Sequence, residues 1–257
     1  MTSARALKRT VFLTGEADLV REFGGVCLAA NLDVVCHPAP GGAKISFTRE
    51  FREFRISATV PKRVIAAVEL TNTDPGVKKK NLVRLDRALP AGVPIISSSV
   101  TVPAAAQGTW LRHPKRLAGY GAFPTLMEGP LAEIALPPES GKEIPGKIRD
   151  FFSLLGKELS VVQDRVGLVM PRILCMIINE ACFALTEEIA SPRDIDTAMK
   201  LGTNYPRGPL EWAARAGIGQ VIAVLDALRS ETGEERYRAA PLLRQMVFLK
   251  TAVASLK

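Results

Sequence analysis

The chain has 257 residues, of which 47% are hydrophobic and 23% charged; this composition matches ordinary folded domains and excludes disordered or collagen-like classes. No run approaches the ~18 uncharged apolar residues of a membrane-spanning helix, and no extended apolar stretch follows the basic N-terminal residues, so a cytoplasmic protein is expected. The net charge of +8 is uneven, with 21 Lys and Arg against 14 Asp and Glu in residues 1–150 and 13 against 12 in residues 151–257, which suits an anionic small molecule or a nucleic acid.

Thr10-Val-Phe-Leu-Thr14 reads as a buried strand ending at Gly15, followed by a helical stretch from Asp18 to Ala30 and a second strand, Asp33–Cys36. That opening predicts a parallel sheet. The segment from His37 to Gly42 is a loop by its Pro and Gly content. Arg49, Arg52 and Arg55 then recur every three residues, interleaved with Phe47, Phe51 and Phe54 and followed by Lys62 and Arg63. On a helix this is a Phe face beside a basic one. Strands are predicted at Val64–Leu70 and Pro94–Ser99, separated by a basic helix, Val77–Ala88, that carries Lys78, Lys79 and Lys80. Beyond Gly119 the chain is irregular, punctuated by Pro124, Pro130, Pro137, Pro138 and Pro145, until a helix at Gly146–Leu155 and a short strand at Leu159–Gln163.

From Val166 onward the pattern is helical. Ile173, Met176, Ile177, Ala181, Ala184 and Leu185 recur at three- and four-residue spacing and share one face. Ser191-Pro192-Arg193-Asp194 is a helix start, with Ser as cap, Pro at the first helical position and an acid in the first turn. Gly202 is expected to stop that helix as a left-handed residue. The fold class predicted is therefore α/β followed by all-α, with residues 1–163 as the sheet domain and 164–257 as the helical one. Cys27, Cys36, Cys175 and Cys182 lie in apolar runs without CxxC spacing, so buried free thiols are expected, and neither disulfides nor a metal site.

The segment Ser191-Pro-Arg-Asp-Ile-Asp-Thr-Ala-Met-Lys-Leu-Gly-Thr-Asn-Tyr-Pro-Arg-Gly-Pro-Leu-Glu211, followed by Arg236-Tyr-Arg-Ala-Ala-Pro-Leu-Leu243, closely resembles the C-terminal domain of the 3-hydroxyacyl-CoA dehydrogenase family. The resemblance runs upstream over most of the chain. Val161 to Leu174 looks like the family's domain junction, Val77-Lys-Lys-Lys-Asn-Leu82 like its basic helix, Ile96-Ser-Ser-Ser99 like its serine-bearing strand end, and Arg116-Leu-Ala-Gly119 like its catalytic loop. It implies a Rossmann-like first domain for NAD and a helical second domain, similar to the C-terminal domain of 6-phosphogluconate dehydrogenase, that makes a homodimer. It also implies an acyl-CoA substrate between the domains.

Carried over residue by residue, the same resemblance marks departures. The three positions of the family's glycine fingerprint hold Gly15, Ala17 and Val20, and Val20 is expected to crowd the helix against the strand or the pyrophosphate. The ribose-binding acid falls at Pro38. The family's hydrogen-bonding serine corresponds to Ser98, flanked by Ser97 and Ser99, and the acid that orients the catalytic histidine corresponds to Glu133. The histidine position itself is Gly121, and the family's asparagine position is Pro171, which brings no side-chain donor. His113 and His37, the only histidines, are the candidate replacement bases. Lys78 with its two neighbours is a candidate for the cofactor side, and the Arg49–Arg55 group a candidate for coenzyme A phosphates. Two functions follow: a divergent dehydrogenase with reduced activity, or a non-catalytic dimeric scaffold that binds acyl-CoA or another anion. Nucleic acid is not expected, because no nucleic-acid motif accompanies the charge.

Overall fold

In a computed structural model of the protein, residues 9–38 and 51–249 are described. Eight strands form one sheet in the order β3-β2-β1-β4-β5-β6-β7-β8: β1 Thr10–Gly15, β2 Asp33–Pro38, β3 Arg55–Ile56, β4 Ala66–Leu70, β5 Ile95–Ser98, β6 Leu117–Tyr120, β7 Leu131–Ala135 and β8 Glu158–Val162. All neighbouring pairs are parallel except β6 with β7. The central strands β1 and β4 are buried on both faces, as parallel strands covered by helices require. Alternate residues serve opposite faces. Val11 and Leu13 meet Phe23, Phe151 and Phe152 on one side, and Phe12 meets Leu82, Leu85 and Ile95 on the other.

The first face is covered by α1 (Ala17–Ala29), and α2 (Pro75–Ala88) packs on the second. Asp74 caps α2 by accepting Val77 N–H at 2.9 Å, and Pro75 occupies its first position, so this helix begins two residues earlier than its apolar pattern suggests. A short α3 (Ala104–Gly108) follows β5, and α4 (Ile144–Leu154) precedes β8. The remainder is α5 (Met170–Thr186), α6 (Pro192–Thr203), α7 (Pro209–Ala216), α8 (Ile218–Thr232) and α9 (Pro241–Leu249). They close around Leu174, Ile178, Leu210, Val224 and Leu243, and Val100 and Phe123 from the sheet part join this core.

The motif in residues 191–211 is a packing device. Ser191 Oγ accepts Asp194 N–H, while the buried Asp196 carboxylate accepts Leu210 N–H at 2.8 Å and Glu211 N–H at 3.1 Å, capping α7 from α6. A Cβ at position 208 would lie 2.2 Å from Asp196, so only glycine admits that approach.

Several expectations need correction. Gly202 lies inside α6, and the left-handed residue that ends the helix is Asn204, with φ 56°; asparagine tolerates this conformation by bonding locally. The supposedly irregular stretch after Gly119 contains β7, and β6 precedes it. Their four- and five-residue lengths are too short for periodicity to register. Arg55 sits in the edge strand β3 and pairs with Asp33 at 3.0 Å, so it does not continue a basic helix. Phe51 and Phe54 do pack together, with ring centroids 5.6 Å apart; Phe47 and Arg49 lie outside the described residues. The four cysteines are free and buried, and burial pushes the thiols of Cys27 and Cys182 up to about 12, leaving them unreactive. Among the described residues no helix is long and apolar enough to cross a membrane.

Candidate functional site

In sheets of this type ligands bind outside the C-terminal ends of the strands, where the strand order reverses. Here that point lies between β1 and β4. Gly15 ends β1 with φ 137°, and a Cβ there would lie 2.3 Å from the Leu70 carbonyl oxygen at the end of β4, so the first glycine of the fingerprint is required by strand packing alone. Ala17 opens α1. Val20 is fully buried among core side chains, and its N–H bonds Glu16 O at 2.9 Å in an undisturbed first turn. The expected clash at Val20 is thus absent, because the valine methyls turn into the core.

The obstacle is one that the glycine positions did not reveal. Glu16, between the first two fingerprint positions, sends its carboxylate across the crevice. Its Oε1 accepts Asn72 N–H and Thr73 N–H, each at 2.7 Å, and the Thr73 hydroxyl at 2.9 Å. Its Oε2 accepts from Gln220 Nε2 on α8. Gln220 Oε1 in turn accepts Asn72 Nδ2 at 2.9 Å, and Asn72 Nδ2 also donates to Ala122 O at 2.9 Å. Ser98 completes the chain by donating to Asn72 Oδ1 at 2.5 Å.

The strand alternation resolves the serine triplet. Ser98 faces this network, Ser97 donates to Glu69 and Ser99 to the Ser97 carbonyl. The result is a continuous polar bridge from the first βα turn to the helical part. A dinucleotide places its negative pyrophosphate at the N-terminus of the first helix. In this chain that end already carries the carboxylates of Glu16 and Asp18, and the donors that face an anion across the crevice are spent on Glu16. The residues present do not fit NAD.

Lys78 is also displaced from its expected role. It is 1% exposed, with Nζ 2.5 Å from Glu69 Oε2 and 2.9 Å from Ser98 O. It neutralises a buried carboxylate under the crevice floor and presents no charge to a cofactor, whereas Lys79 and Lys80 are exposed. Pro38 ends β2 opposite Gly15 and brings no acid to that strand end.

A second opening lies beyond β6. It is a cleft of about 480 Å³ between the segment around Gly121 and Glu133 and, from the helical part, Met170, Trp212 and the loop residues Pro206 and Arg207. A Cβ built on Gly121 would sit 3.4 Å from Glu133 Oε2, so position 121 still faces the acid, with no side chain to be oriented by it. The Glu133 carboxylate is instead bound to backbone, its two oxygens accepting Val169 N–H at 3.0 Å and Met170 N–H at 2.9 Å at the start of α5. Pro171 occupies the first turn of that helix, buried, where a missing N–H costs nothing.

Neither histidine replaces the base. His113 precedes β6 while Gly121 follows it, so the two lie at opposite ends of the strand, and His113 Nδ1 meets Asp86 at 3.3 Å beside Arg116. His37 is the last but one residue of β2, four strands from β6 in the sheet, or roughly 19 Å at ~4.8 Å per strand. Burial and the Arg84 charge hold its pKa below the usual imidazole value.

Comparison with known proteins places this geometry in context. The family model "3-hydroxyacyl-CoA dehydrogenase, C-terminal domain" matches residues 167–252. A 3-hydroxyadipyl-CoA dehydrogenase of Escherichia coli is 41% identical over 125 residues, 49% of this chain and 26% of that protein. A probable 3-hydroxybutyryl-CoA dehydrogenase of Bacillus subtilis is 29% identical over 180 residues, 70% of this chain and 63% of the relative. The matches thus span about a quarter of the first relative's length and under two thirds of the second's. The crystal structure of (S)-3-hydroxybutyryl-CoA dehydrogenase from Ralstonia eutropha superposes with a TM-score of 0.76 at 25% identity, covering 95% of this chain and 94% of that one.

Proposed function

Because the chain belongs to the 3-hydroxyacyl-CoA dehydrogenase family, we propose that it keeps the family's acyl-CoA cleft and has given up NAD-linked oxidation, acting as a binding scaffold for an acyl-CoA-type ligand. The observation that carries this reading is Glu16, whose carboxylate bridges Asn72, Thr73 and Gln220 across the dinucleotide crevice. Gly121 supports it from the other side of the site, since the carboxylate it faces has no imidazole to act through and is engaged with backbone N–H groups. A positioned general base contributes typically ~100- to 10,000-fold to rate. Both losses fall on the oxidation chemistry, and the cleft that Gly121 and Glu133 line with Arg207 and Trp212 stays open.

The test is binding and turnover together. In thermal unfolding, a ligand at a hundredfold excess over its dissociation constant stabilises by about 2.7 kcal/mol. We expect acetoacetyl-CoA to raise the midpoint while NAD and NADH leave it unchanged. Reduction of acetoacetyl-CoA by NADH at an ordinary enzymatic rate of ~10 per second would overturn the reading.

The scaffold is proposed to be a homodimer through its helical part. Supporting this, Ile173, Ile189 and Leu201 are exposed apolar residues of that region, Leu201 at 83%, which a partner's helices would cover. Light scattering should give about twice the 27.8 kDa chain mass; a monomer at micromolar concentration is the contrary result.

A further inference from the structure

The cleft that the proposed function retains contains one feature which acyl binding alone does not explain. Arg207 is the single cation among its lining residues, and among the described residues its guanidinium has neither an ion pair nor a hydrogen bond. The neighbouring acid, Glu211, is already engaged: Lys200 Nζ donates to it at 2.7 Å and Gly208 N–H at 3.1 Å. Arg207 instead lies over the Trp212 ring, with Cζ 5.0 Å from the ring centroid. A cation–π contact occupies no N–H donor in a hydrogen bond, so the guanidinium keeps its donors for an acceptor in the cleft.

Trp212 is itself only 9% exposed, so it is a fixed platform on which the planar group is held. The chain on either side of Arg207 is stiff as well, because Pro206 and Pro209 flank it and Gly208 is pinned against Asp196. The other charges at the cleft are carboxylates. Those of Glu133 are satisfied by the backbone of α5, and Glu128 is exposed at the rim.

We infer that Arg207 reads a terminal carboxylate, so that the ligand of this cleft is an acyl-CoA whose acyl chain ends in a second carboxyl group. The inference rests on the reading of the cleft as an acyl-CoA site. Two oxygens on one planar carboxylate match two parallel N–H donors on one guanidinium edge. A methyl-ended chain of the same length would push apolar carbon against those donors and strip water from them without replacing it. A site built this way discriminates chiefly by penalising the wrong ligand.

The experiment compares adipyl-CoA with hexanoyl-CoA, two six-carbon acyl groups that differ in the terminal carboxylate, by calorimetric titration of the full chain. A hydrogen-bonded charged group should favour adipyl-CoA by roughly tenfold or more. Arg207→Met should abolish that preference, by weakening adipyl-CoA while leaving hexanoyl-CoA equal or tighter. Arg207→Lys should restore part of it, as a point charge without the fork does. Thermal unfolding of both variants checks that the fold is kept, which a solvent-accessible loop position permits. Equal affinity of the native chain for the two ligands, or a preference that survives Arg207→Met, overturns the inference and leaves the acyl-CoA reading standing. If neither ligand binds, that reading fails and the inference with it.

Discussion

The crevice between β1 and β4 and the cleft beyond β6 lie side by side, yet they treat polar groups in opposite ways. In the crevice the donors that face α1 from the β4 side already have protein partners: Asn72 N–H and Thr73 N–H on Glu16, Asn72 Nδ2 on Gln220 and Ala122. In the cleft a guanidinium lies over an aromatic ring with no hydrogen bond or ion pair among the described residues. A buried donor or acceptor costs about 1–3 kcal/mol when unpaired, so a polar site either satisfies itself or waits for a ligand. The difference teaches that one half of the ancestral site has been closed from within and the other has not.

Each half contains a glutamate that accepts two backbone N–H groups, and removing each in turn breaks the comparison at a different place. The largest effect is expected at Glu133. It is 7% exposed and caps the start of α5 through Val169 and Met170, so Glu133→Ala should lower unfolding stability by about 2–3 kcal/mol, read from urea denaturation. A loss below about 0.5 kcal/mol would mean that the cap is dispensable and that Glu133 is free for another role.

Glu16→Ala comes next. Glu16 is partly exposed, and water replaces some of what is lost, so about 1 kcal/mol is expected. The same variant should gain a thermal response to NADH that the native chain lacks, because the crevice donors are then released. If the variant folds and stays silent to NADH, the closure extends beyond Glu16. Val20→Gly is a poor alternative test, since Val20 is fully buried and its removal leaves a cavity in the core.

The smallest effect is a pH dependence at Glu22, which ties α1 to the segment bordering the cleft by accepting Thr125 N–H on both oxygens at 2.9 Å. Burial raises its carboxyl above the ordinary value of 4.5, and the Thr125 bond only partly offsets this. The folded state therefore holds the proton to higher pH than the unfolded chain, and the contribution of Glu22 is complete below 4.5 and is lost as pH rises through the folded value. Glu22→Gln removes this titration. Its stability relative to the native chain should rise between about pH 4 and pH 7, and a difference that is flat or falls with pH contradicts the assignment.

Much of this architecture was legible in the residues. The apolar runs of β1 and β4, the Ser191-Pro192 start of α6 and the segment from Ser191 to Glu211 each carry a local signal, and together they give the fold class. The strands β6 and β7 were not legible, because four or five residues that pair at the far side of a sheet look like any short apolar stretch. In the site, Ser98, Gly121 and Glu133 were found through positions in a motif, and they do gather near one end of the sheet. The decisive residue was missed. Glu16 occupies a position that the glycine pattern leaves unspecified, and its partners Asn72 and Gln220 lie 56 and 204 residues away. Val20 was misjudged for the same reason: sequence shows the size of a side chain at a fingerprint position and not the direction in which it points. Arg207 gave no warning, since an arginine between two prolines reads as an ordinary surface loop until its position over the Trp212 ring is seen.

The bond between Glu16 and Gln220 also orders events during folding. It joins the first βα turn to α8, so it forms only after residues 16 to 220 have been made and the helical part has docked. Domains fold as units and the N-terminal one leads during synthesis, and contacts of long sequence separation come late because their loops must close first. Until then Glu16 has only Asn72 and Thr73, within its own half. The arrival of α8 therefore completes the closed crevice rather than creating it, because Gln220 takes up the second carboxylate oxygen.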